Sequence, residues 1–430
     1  MTQFQADRSY QLERNDNWYG YNMELYAGQY ETDVIHVDII KEFNTEWLAF
    51  QQGDISVIGI DVSIAEDYRN SSRAVFTASD FVGSLQLQSS ASALKDRETE
   101  GVDKEMLTYV EFRKAISLGI DRAEYVQRCT TSSLPGFGLF NSMHYYDVEN
   151  AGVYRNEDVA KQVLCEVYGV DVSKFDSLDE AYATITGLNM ELAKQLIDEA
   201  YAKALAAGTI SATDKVVLTV GASEENEATL RQFNFLNDSM KELAKGTQLE
   251  GRFELDFDAH FGAQWSKDFR NGAYDICTGG WTGAAWNPGY FLLAYLDPGY
   301  MYSKAWDTAH EMLEFNPWGD DVEEHTLNMS LLDWYYCLNG KAGYPYNWSR
   351  GEVADSFRLG IIAALEKAIL TKYYTVPLQY RFSAGLISYQ IEYYSRDYNT
   401  FMGYGGVRYM TYNYNDAEWA EVKAGFDYKD

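Results

Sequence analysis

The sequence predicts a mixed α/β fold because of the order of its elements in the middle of the chain. Residues 215–223, KVVLTVGAS, form a continuous apolar run typical of a buried strand, whereas residues 251–257, GRFELDF, alternate apolar and polar side chains. The amphipathic segment between them ends at Gly246 and is typical of a long helix. Residues 264–280 continue as helix, turn and strand, an order that favours a sheet that is at least partly parallel.

The first 90 residues also predict strands and a short helix. Residues 8–14, RSYQLER, and 34–43, VIHVDIIKEF, have strand patterns. The segment that follows predicts a helix with Asn44 as its N-cap, ended by Gly53 and followed by a strand at 55–60.

Helical periodicity dominates from about residue 103. Gly119 interrupts the first pattern and Asp121 starts the next helix as its cap, and two further helices are predicted at 156–168 and 189–206.

The carboxyl-terminal third predicts a short helix within 325–340, a long helix within 352–374 and a pair of strands at 375–391. The chain shows neither an internal repeat nor a low-complexity linker.

Charge excludes several classes of partner. Lys and Arg total 35 against 65 Asp and Glu, so the formal net charge is −30 and a polyanion such as nucleic acid is repelled. The 35 Tyr and 10 Trp residues suit surfaces that are both apolar and wet, as in clefts that bind sugars or peptides, although a Tyr-rich core explains them equally well.

No run of about 18 apolar residues occurs, and the amino terminus lacks the regions of a signal peptide, so we expect neither a membrane span nor an export signal in these residues. The four cysteines lie far apart and form no CxxC pair, which argues against a zinc module or a dense disulfide scaffold. They are Cys129, Cys165, Cys277 and Cys337.

Common catalytic and metal motifs give little support to an enzyme. The P-loop, GxSxG and HExxH patterns are absent. Residues 147–158 imitate a calcium loop but place Ala151 and Arg155 at the fifth and ninth positions, and residues 256–260 place two aspartates and a histidine on one strand face, as an exposed edge also does. Among 65 acids, a pair of carboxylates fit for glycoside hydrolysis can always be chosen, so such a pair does not distinguish a glycosidase from a protein without this activity.

The stretch CTGGWTGAAWNPGY, which begins at Cys277, is the strongest candidate for a binding site. It follows a predicted strand, and ligands of open α/β sheets bind beyond the carboxyl ends of strands. Its glycines allow close backbone approach and its tryptophans offer flat walls, but a glycine-rich turn with inward tryptophans remains open. These residues are Gly279, Gly280, Gly283, Trp281 and Trp286.

Four segments resemble one family, the oligopeptide- and dipeptide-binding proteins of bacterial ABC importers. They are RSYQLERNDNWYG at 8–20, VEFRKAISLGIDRAEYV at 110–126, NGAYDICTGGWTGAAWNPGY at 271–290 and YYTVPLQYRF at 373–382. The second and third are specific in combination.

The resemblance implies a periplasmic-binding-protein-like fold of type II, with mixed sheets flanked by helices and two lobes joined by hinge strands near 81–88 and 380–390. Residues 1–84 and 385–430 would belong to domain I, and residues 85–384 to domain III. The chain would then be a carboxyl-terminal portion, without the first half of domain I and without domain II.

The resemblance also implies a set of ligand-contacting residues. Ala284 stands where peptide-binding members commonly carry an Asp that pairs with the peptide amine, so a neutral sugar remains an alternative to a peptide. Arg270 and Asn271 resemble a position near the far end of the ligand. The remaining residues are Thr278, Gly280, Trp281, Thr282, Gly283 and Trp286 in the loop, Leu85 and Gln86 on the hinge strand, and Tyr404.

The function implied is the extracellular substrate-binding component of an ABC importer, which captures oligopeptides between its lobes and delivers them to the permease. The alternatives are an oligosaccharide receptor of the same family, a carbohydrate-active enzyme and a protein-interaction module. We expect neither catalysis nor a metal nor a cofactor. The full-length protein would be a cell-surface lipoprotein, held at the membrane by a lipid anchor, or a free periplasmic protein.

Overall fold

The computed structural model describes residues 1–319, 325–392, 398–399 and 403–429, with 398–399 and 403–406 described by backbone alone. The chain forms two compact units. Unit 1 comprises Met1–Ser79, Thr130–Ser133 and Phe382–Asp430, and unit 2 comprises Asp80–Cys129 and Leu134–Arg381.

Helices and strands alternate along most of the chain. The helices are α1 Phe43–Gln51, α2 Val62–Tyr68, α3 Ala91–Asp96, α4 Val110–Leu118, α5 Arg122–Cys129, α6 Asp158–Tyr168, α7 Leu178–Ala183, α8 Met190–Ala207, α9 Glu227–Ala244, α10 Trp265–Arg270, α11 Pro288–Phe291, α12 Leu293–Leu296, α13 Leu331–Leu338, α14 Asp355–Leu370 and α15 Asp416–Val422. The strands are β1 Gln3–Gln5, β2 Ser9–Glu13, β3 Val34–Asp38, β4 Val57–Gly59, β5 Ala74–Leu87, β6 Val102–Asp103, β7 Leu134–Pro135, β8 Tyr145–Asp147, β9 Gly152–Val153, β10 Lys215–Gly221, β11 Phe253–Asp258, β12 Ile276–Trp281, β13 Met312–Phe315, β14 Leu327–Ser330, β15 Thr375–Ile387, β16 Ile391–Glu392, β17 Tyr398–Asn399, β18 Gly403–Tyr404 and β19 Thr411–Tyr412.

Unit 2 is built on a mixed sheet with the strand order β11-β10-β12-β5-β15. Strand β10 pairs in parallel with β11 and β12, and β12 pairs antiparallel with β5. The order β10, α9, β11, α10, β12 therefore confirms the partly parallel sheet expected from the sequence.

Local signals start and end the helices of unit 2. Asp121 accepts hydrogen bonds from the backbone N–H groups of Ala123 and Glu124, which confirms its expected capping role at α5. Asn226 and Thr229 form a reciprocal capping box at the start of α9, and Gly246, with a φ of 77°, follows its end.

Two large apolar clusters make up most of the described core of unit 2. In the first, helices α4, α5, α8 and α9 pack on the sheet around side chains such as Phe112 and Leu236. In the second, α6, α13 and α14 surround Trp334 and Ile361.

Within the described part of the chain, unit 1 has a much smaller core. Phe50, Ile58, Tyr68, Leu386 and Tyr428 form its centre. Strand β4 pairs antiparallel with the end of β15, and a separate antiparallel sheet has the order β1-β2-β3.

Two expectations about individual elements were wrong, and a third was correct only in part. Helix α1 begins at Phe43 with Glu42 as its N-cap, so Asn44 lies inside the helix. The short helix expected within 325–340 is confirmed as α13, but it begins only at Leu331. Residues Leu327–Ser330 before it form a strand because Met312–Phe315 offers a pairing partner that local periodicity cannot reveal. Residues Thr375–Ile387 form one strand rather than a pair, since successive parts of it pair with different neighbours.

All four cysteines are free and buried. Burial raises the pKa of the Cys277 thiol and raises that of Cys129 to about 11. No helix within the described ranges is long and apolar enough to cross a membrane.

Candidate functional site

The candidate loop follows strand β12, whose pairing fixes where several predicted residues lie. Six consecutive residue pairs join β12 to β5, from Ile276 opposite Leu87 to Trp281 opposite Val82. Leu85 and Gln86, expected to contact ligand, lie opposite Thr278 and Cys277 in this ladder.

Leu85 and Gln86 are each only 1% exposed. Leu85 belongs to the first apolar cluster. The side-chain oxygen of Gln86 accepts a hydrogen bond from the Thr375 hydroxyl at 2.7 Å. The Thr278 hydroxyl donates to the Gln232 side chain at 3.0 Å. These groups therefore hold neighbouring elements together in this structure.

Two of the three glycines are needed for packing within the protein. A Cβ atom at Gly280 would overlap the carbonyl oxygen of Val82, and one at Gly279 would lie 2.9 Å from the Tyr302 hydroxyl oxygen. Gly283 differs, because a Cβ there would meet nothing within 4 Å and its φ of 111° is one that few other residues adopt. Its role is to allow the turn.

The two tryptophans differ in exposure. Trp281 packs on Tyr302 with ring centroids 5.2 Å apart, above a cluster that includes Phe269 and Tyr274. Its indole nitrogen is buried, and the described residues offer it no hydrogen-bond partner. Trp286 is 45% exposed and presents the larger apolar surface to solvent.

Asp80, which sequence reasoning missed, fixes the loop after Trp281. Its carboxylate accepts a hydrogen bond from the Gly283 backbone N–H at 2.7 Å and another from the Thr282 hydroxyl. Asp80 is fully buried, and a single acid inside the apolar strand TASDFVGSLQL was the only sequence signal for it. Its two oxygens therefore hold the turn.

Ala284 adopts a φ of 53°, an uncommon conformation for a residue with a Cβ. Its carbonyl accepts from the Asn287 backbone N–H at 2.8 Å, and the Ala285 carbonyl accepts from the Tyr145 backbone N–H at 2.6 Å. The loop is thus held on both sides of Ala284.

A neutral histidine lies near the Asp80 carboxylate. His144 is fully buried, and its Nδ1 accepts from the Asn141 backbone N–H at 3.1 Å. Burial lowers the pKa of His144 to about 4, despite the opposing effect of Asp80, so the ring is uncharged at neutral pH.

Arg270 and Asn271 lie at the end of helix α10. The Arg270 guanidinium donates to the carbonyls of Met301, at 3.0 Å, and Gly299, at 2.7 Å, which ties it to the neighbouring loop. The backbone N–H of Asn271 donates to the Lys267 carbonyl at 3.0 Å. Tyr404 belongs to strand β18 in unit 1, and its side chain lies outside the described residues.

The structure gives no support to a metal site. No group of three or more His, Cys, Asp or Glu side chains in the described part of the chain is placed to hold a metal ion. Asp258 pairs with His260, and Asp147 accepts from the backbone N–H groups of Glu149 and Asn150.

Comparison with known families decides the assignment. Residues 1–303 match the family described as bacterial extracellular solute-binding proteins, family 5 Middle. The chain belongs to this family. Its membership of the family 5 solute-binding proteins confirms the resemblance that the segments at 110–126 and 271–290 indicated. A comparison with curated proteins found no match.

Solved structures show the same fold. Listeria monocytogenes OppA bound to peptide superposes with a TM-score of 0.59 at 14% identity over 95% of this chain and 62% of that protein. A putative peptide-binding protein AppA from Clostridium difficile gives 0.60 at 11% identity, with 96% and 66% covered. AgaA of A. tumefaciens R10 in complex with agropinic acid gives 0.54 at 13% identity, with 96% and 66% covered.

This family 5 protein therefore has the periplasmic-binding-protein-like fold expected from the sequence. It spans 62% of the length of Listeria OppA.

Proposed function

We propose that this chain is the substrate-binding component of an ABC importer and captures oligopeptides, with the loop from Thr278 to Trp286 as part of the binding surface. The observation that carries the proposal is membership of the solute-binding family over residues 1–303. The Listeria protein was solved bound to peptide and the Clostridium protein is described as a putative peptide-binding protein, which favours peptides as the ligand class.

The chemistry of the loop suits the uncharged parts of a peptide. The exposed ring of Trp286 offers a flat apolar surface to a ligand side chain, and the buried indole N–H of Trp281 is a donor still without a partner among the described groups. Asp80 already accepts two hydrogen bonds from the loop, so we infer that a peptide amine is bound by another carboxylate.

The remaining assignments follow from the same proposal. Residues 1–84 and 385–430 would form domain I and residues 85–384 domain III. The protein would act as a receptor rather than an enzyme and would deliver its ligand to a membrane permease. The receptor itself would lie outside the cytoplasmic membrane, either as a lipid-anchored protein or as a free one.

Saturation-transfer NMR with the 430-residue protein tests the function, because it detects ligands that bind with millimolar affinity. We expect signals from unmodified tri- to nonapeptides. Trp286→Ala should weaken them at least fivefold by removing apolar contact area. Trp318→Ala is the matched control, since Trp318 is 42% exposed and lies outside the loop.

Binding of cellobiose or maltose without binding of peptides would contradict the peptide assignment. Hydrolysis of a chromogenic glycoside would contradict the receptor assignment.

A further inference from the structure

The amino-terminal face, defined as residues 1–39, exposes an unusual amount of apolar surface. Among the described residues, nine of the 24 large apolar side chains that are exposed lie in this short segment. They are Met1, Phe4, Leu12, Tyr19, Tyr21, Met23, Leu25, Val34 and Ile39. Scattered apolar side chains are ordinary on a protein surface, but a concentration of them marks an interaction site.

The sheet in this segment has no covered face. Strands β1, β2 and β3 pair in register, from Gln3 opposite Gln11 and from Ser9 opposite Asp38, yet none of their residues is buried. A sheet is stable when one face packs on another layer. The amino-terminal face therefore has room for a further layer.

An aromatic cavity of about 470 Å³ adjoins this sheet within unit 1. Trp18 forms its centre, with ring centroids 5.1 Å from Tyr21, 5.3 Å from Tyr26 and 5.2 Å from Tyr30. Thr32, which is 7% exposed, also lines the cavity, and its hydroxyl has no partner among the described groups. The cavity is large enough for an aromatic or long aliphatic side chain with part of its backbone.

The charge of the amino-terminal face favours basic flanks on the occupant, whereas the cavity itself is electrically balanced, since Glu13 and Asp33 line it together with Arg14 and Arg408. Residues 1–39 contain seven acids against two arginines. Arg14 is already paired with Asp33 at 2.9 Å and with Asp16 at 3.3 Å. The five other carboxylates of the segment are accompanied by one further arginine, so the segment is negatively charged, which attracts lysine and arginine and disfavours a second copy of this acidic chain.

We propose that the amino-terminal face docks a polypeptide segment with an apolar centre and basic flanks, which adds a layer to the sheet and places an apolar side chain in the aromatic cavity. Polypeptide is the occupant that fits, because apolar exposure extends over both the sheet and the cavity, beyond the reach of a small ligand. The match also covers only 62% of Listeria OppA, so relatives carry polypeptide without a counterpart in these 430 residues.

Hydrogen exchange of the 430-residue protein, read by mass spectrometry at low salt, tests the proposal. The probe is the pentapeptide Lys-Leu-Trp-Leu-Lys with an acetylated amino terminus and an amidated carboxyl terminus. We expect it to slow exchange in residues 3–38 and to bind at least tenfold more tightly than the blocked peptide Glu-Leu-Trp-Leu-Glu.

Variants separate this surface from the loop of unit 2. Tyr19→Ala and Leu25→Ala remove exposed side chains, so the fold should survive, and each should weaken the protection at least fivefold. Tyr300→Ala, at an aromatic residue of unit 2 that is 51% exposed, should leave it unchanged. Peptide binding that responds to Trp286→Ala and not to Tyr19→Ala would locate the probe at the proposed receptor site instead.

Three results would overturn the proposal: equal protection by the acidic peptide, protection of the same segment by cellobiose, or protection that rises with protein concentration alone. The last two would assign the surface to a small neutral ligand or to a second copy of the chain. None of them bears on binding at the unit 2 loop.

Discussion

At the scale of single residues, two buried carboxylates of unit 2 have different roles, which their hydrogen bonds distinguish. Asp80 and Asp103 are both almost completely buried, at 0% and 2% exposure. Asp80 accepts from the loop, whereas one oxygen of Asp103 accepts from the Met106 backbone N–H at 3.0 Å and the other has no partner among the described atoms. One acid therefore fixes a turn, and burial makes the other bind a proton more tightly than an exposed aspartate does.

Asp80→Asn tests the hold on the loop. The amide keeps one acceptor oxygen but replaces the other with a donor that faces either the Gly283 N–H or the Thr282 hydroxyl. We expect the free energy of unfolding to fall by about 1–3 kcal/mol, as measured by urea denaturation. Asp96→Asn, at an exposed position of α3, should change it by less than about 0.5 kcal/mol. Equal effects of the two substitutions would refute the role of Asp80.

Asp103 predicts a pH dependence of stability. Burial raises the pKa of its carboxyl from 3.8 to about 7, so the native state binds the proton more tightly than the unfolded state does. Its contribution to stability is complete below about pH 4 and is lost as the pH rises towards 7. Asp103→Asn cannot titrate, so between pH 5 and pH 8 the variant should gain about 2–3 kcal/mol relative to the wild type. A difference in urea midpoints that does not change with pH would show that Asp103 titrates normally.

At the scale of elements, strong local signals were sufficient for most helices and strands of unit 2. The Asp121 cap and the Gly246 stop needed no tertiary information, and α5 and α9 form where they were expected. The strand Leu327–Ser330 was missed because it forms only by pairing with Met312–Phe315, which its own sequence does not indicate. The hydrogen bond from Gly283 to Asp80 was missed because it joins residues 203 positions apart. Such contacts exist only after folding.

The family could be identified from sequence because the segments that resemble it are read directly from consecutive residues. The match of residues 1–303 to the family confirms that identification. The different exposure of Trp281 and Trp286 could not be predicted from sequence, because it depends on which of the two rings packs on Tyr302 in the folded protein. The ligand-contacting roles of these residues stay predictions.

Strand β12 gives a sharp test of close packing. In Gly280→Ala the new methyl group would overlap the Val82 carbonyl oxygen, so we expect a loss of about 1–3 kcal/mol or more. Gly59→Ala is the matched control, because Gly59 also lies in a strand and a Cβ there meets nothing within 4 Å. Calorimetry should therefore show a lower Tm for Gly280→Ala only. A similar loss in both variants would point to a general cost of alanine in these strands.

At the scale of the whole molecule, the two units have very unequal cores. Among the residues that the structure describes, the two large clusters of unit 2 contain 32 and 29 buried apolar residues, whereas the cluster of unit 1 contains eight. Stability rises with apolar surface buried, and regions with few buried contacts open most readily.

We expect native-state hydrogen exchange to reflect this difference. Backbone amides of α1 and β4 in unit 1 should exchange at least tenfold faster than those of β10 and α9 in unit 2, because opening unit 1 exposes less apolar surface. Measurement of the free protein at several low urea concentrations would resolve the two openings. A single urea-dependent opening shared by all amides would instead show that the chain unfolds as one cooperative body.

The four buried thiols have a practical consequence for observing the molecule at work. A maleimide dye reacts with accessible thiolates, and Cys129, Cys165, Cys277 and Cys337 offer it none in the folded state. A cysteine introduced beside Trp286 would therefore take up a single fluorophore without removal of the native ones. The protein is in this sense ready for conversion into an optical sensor that tests, in real time, the proposed binding of ligand at the loop.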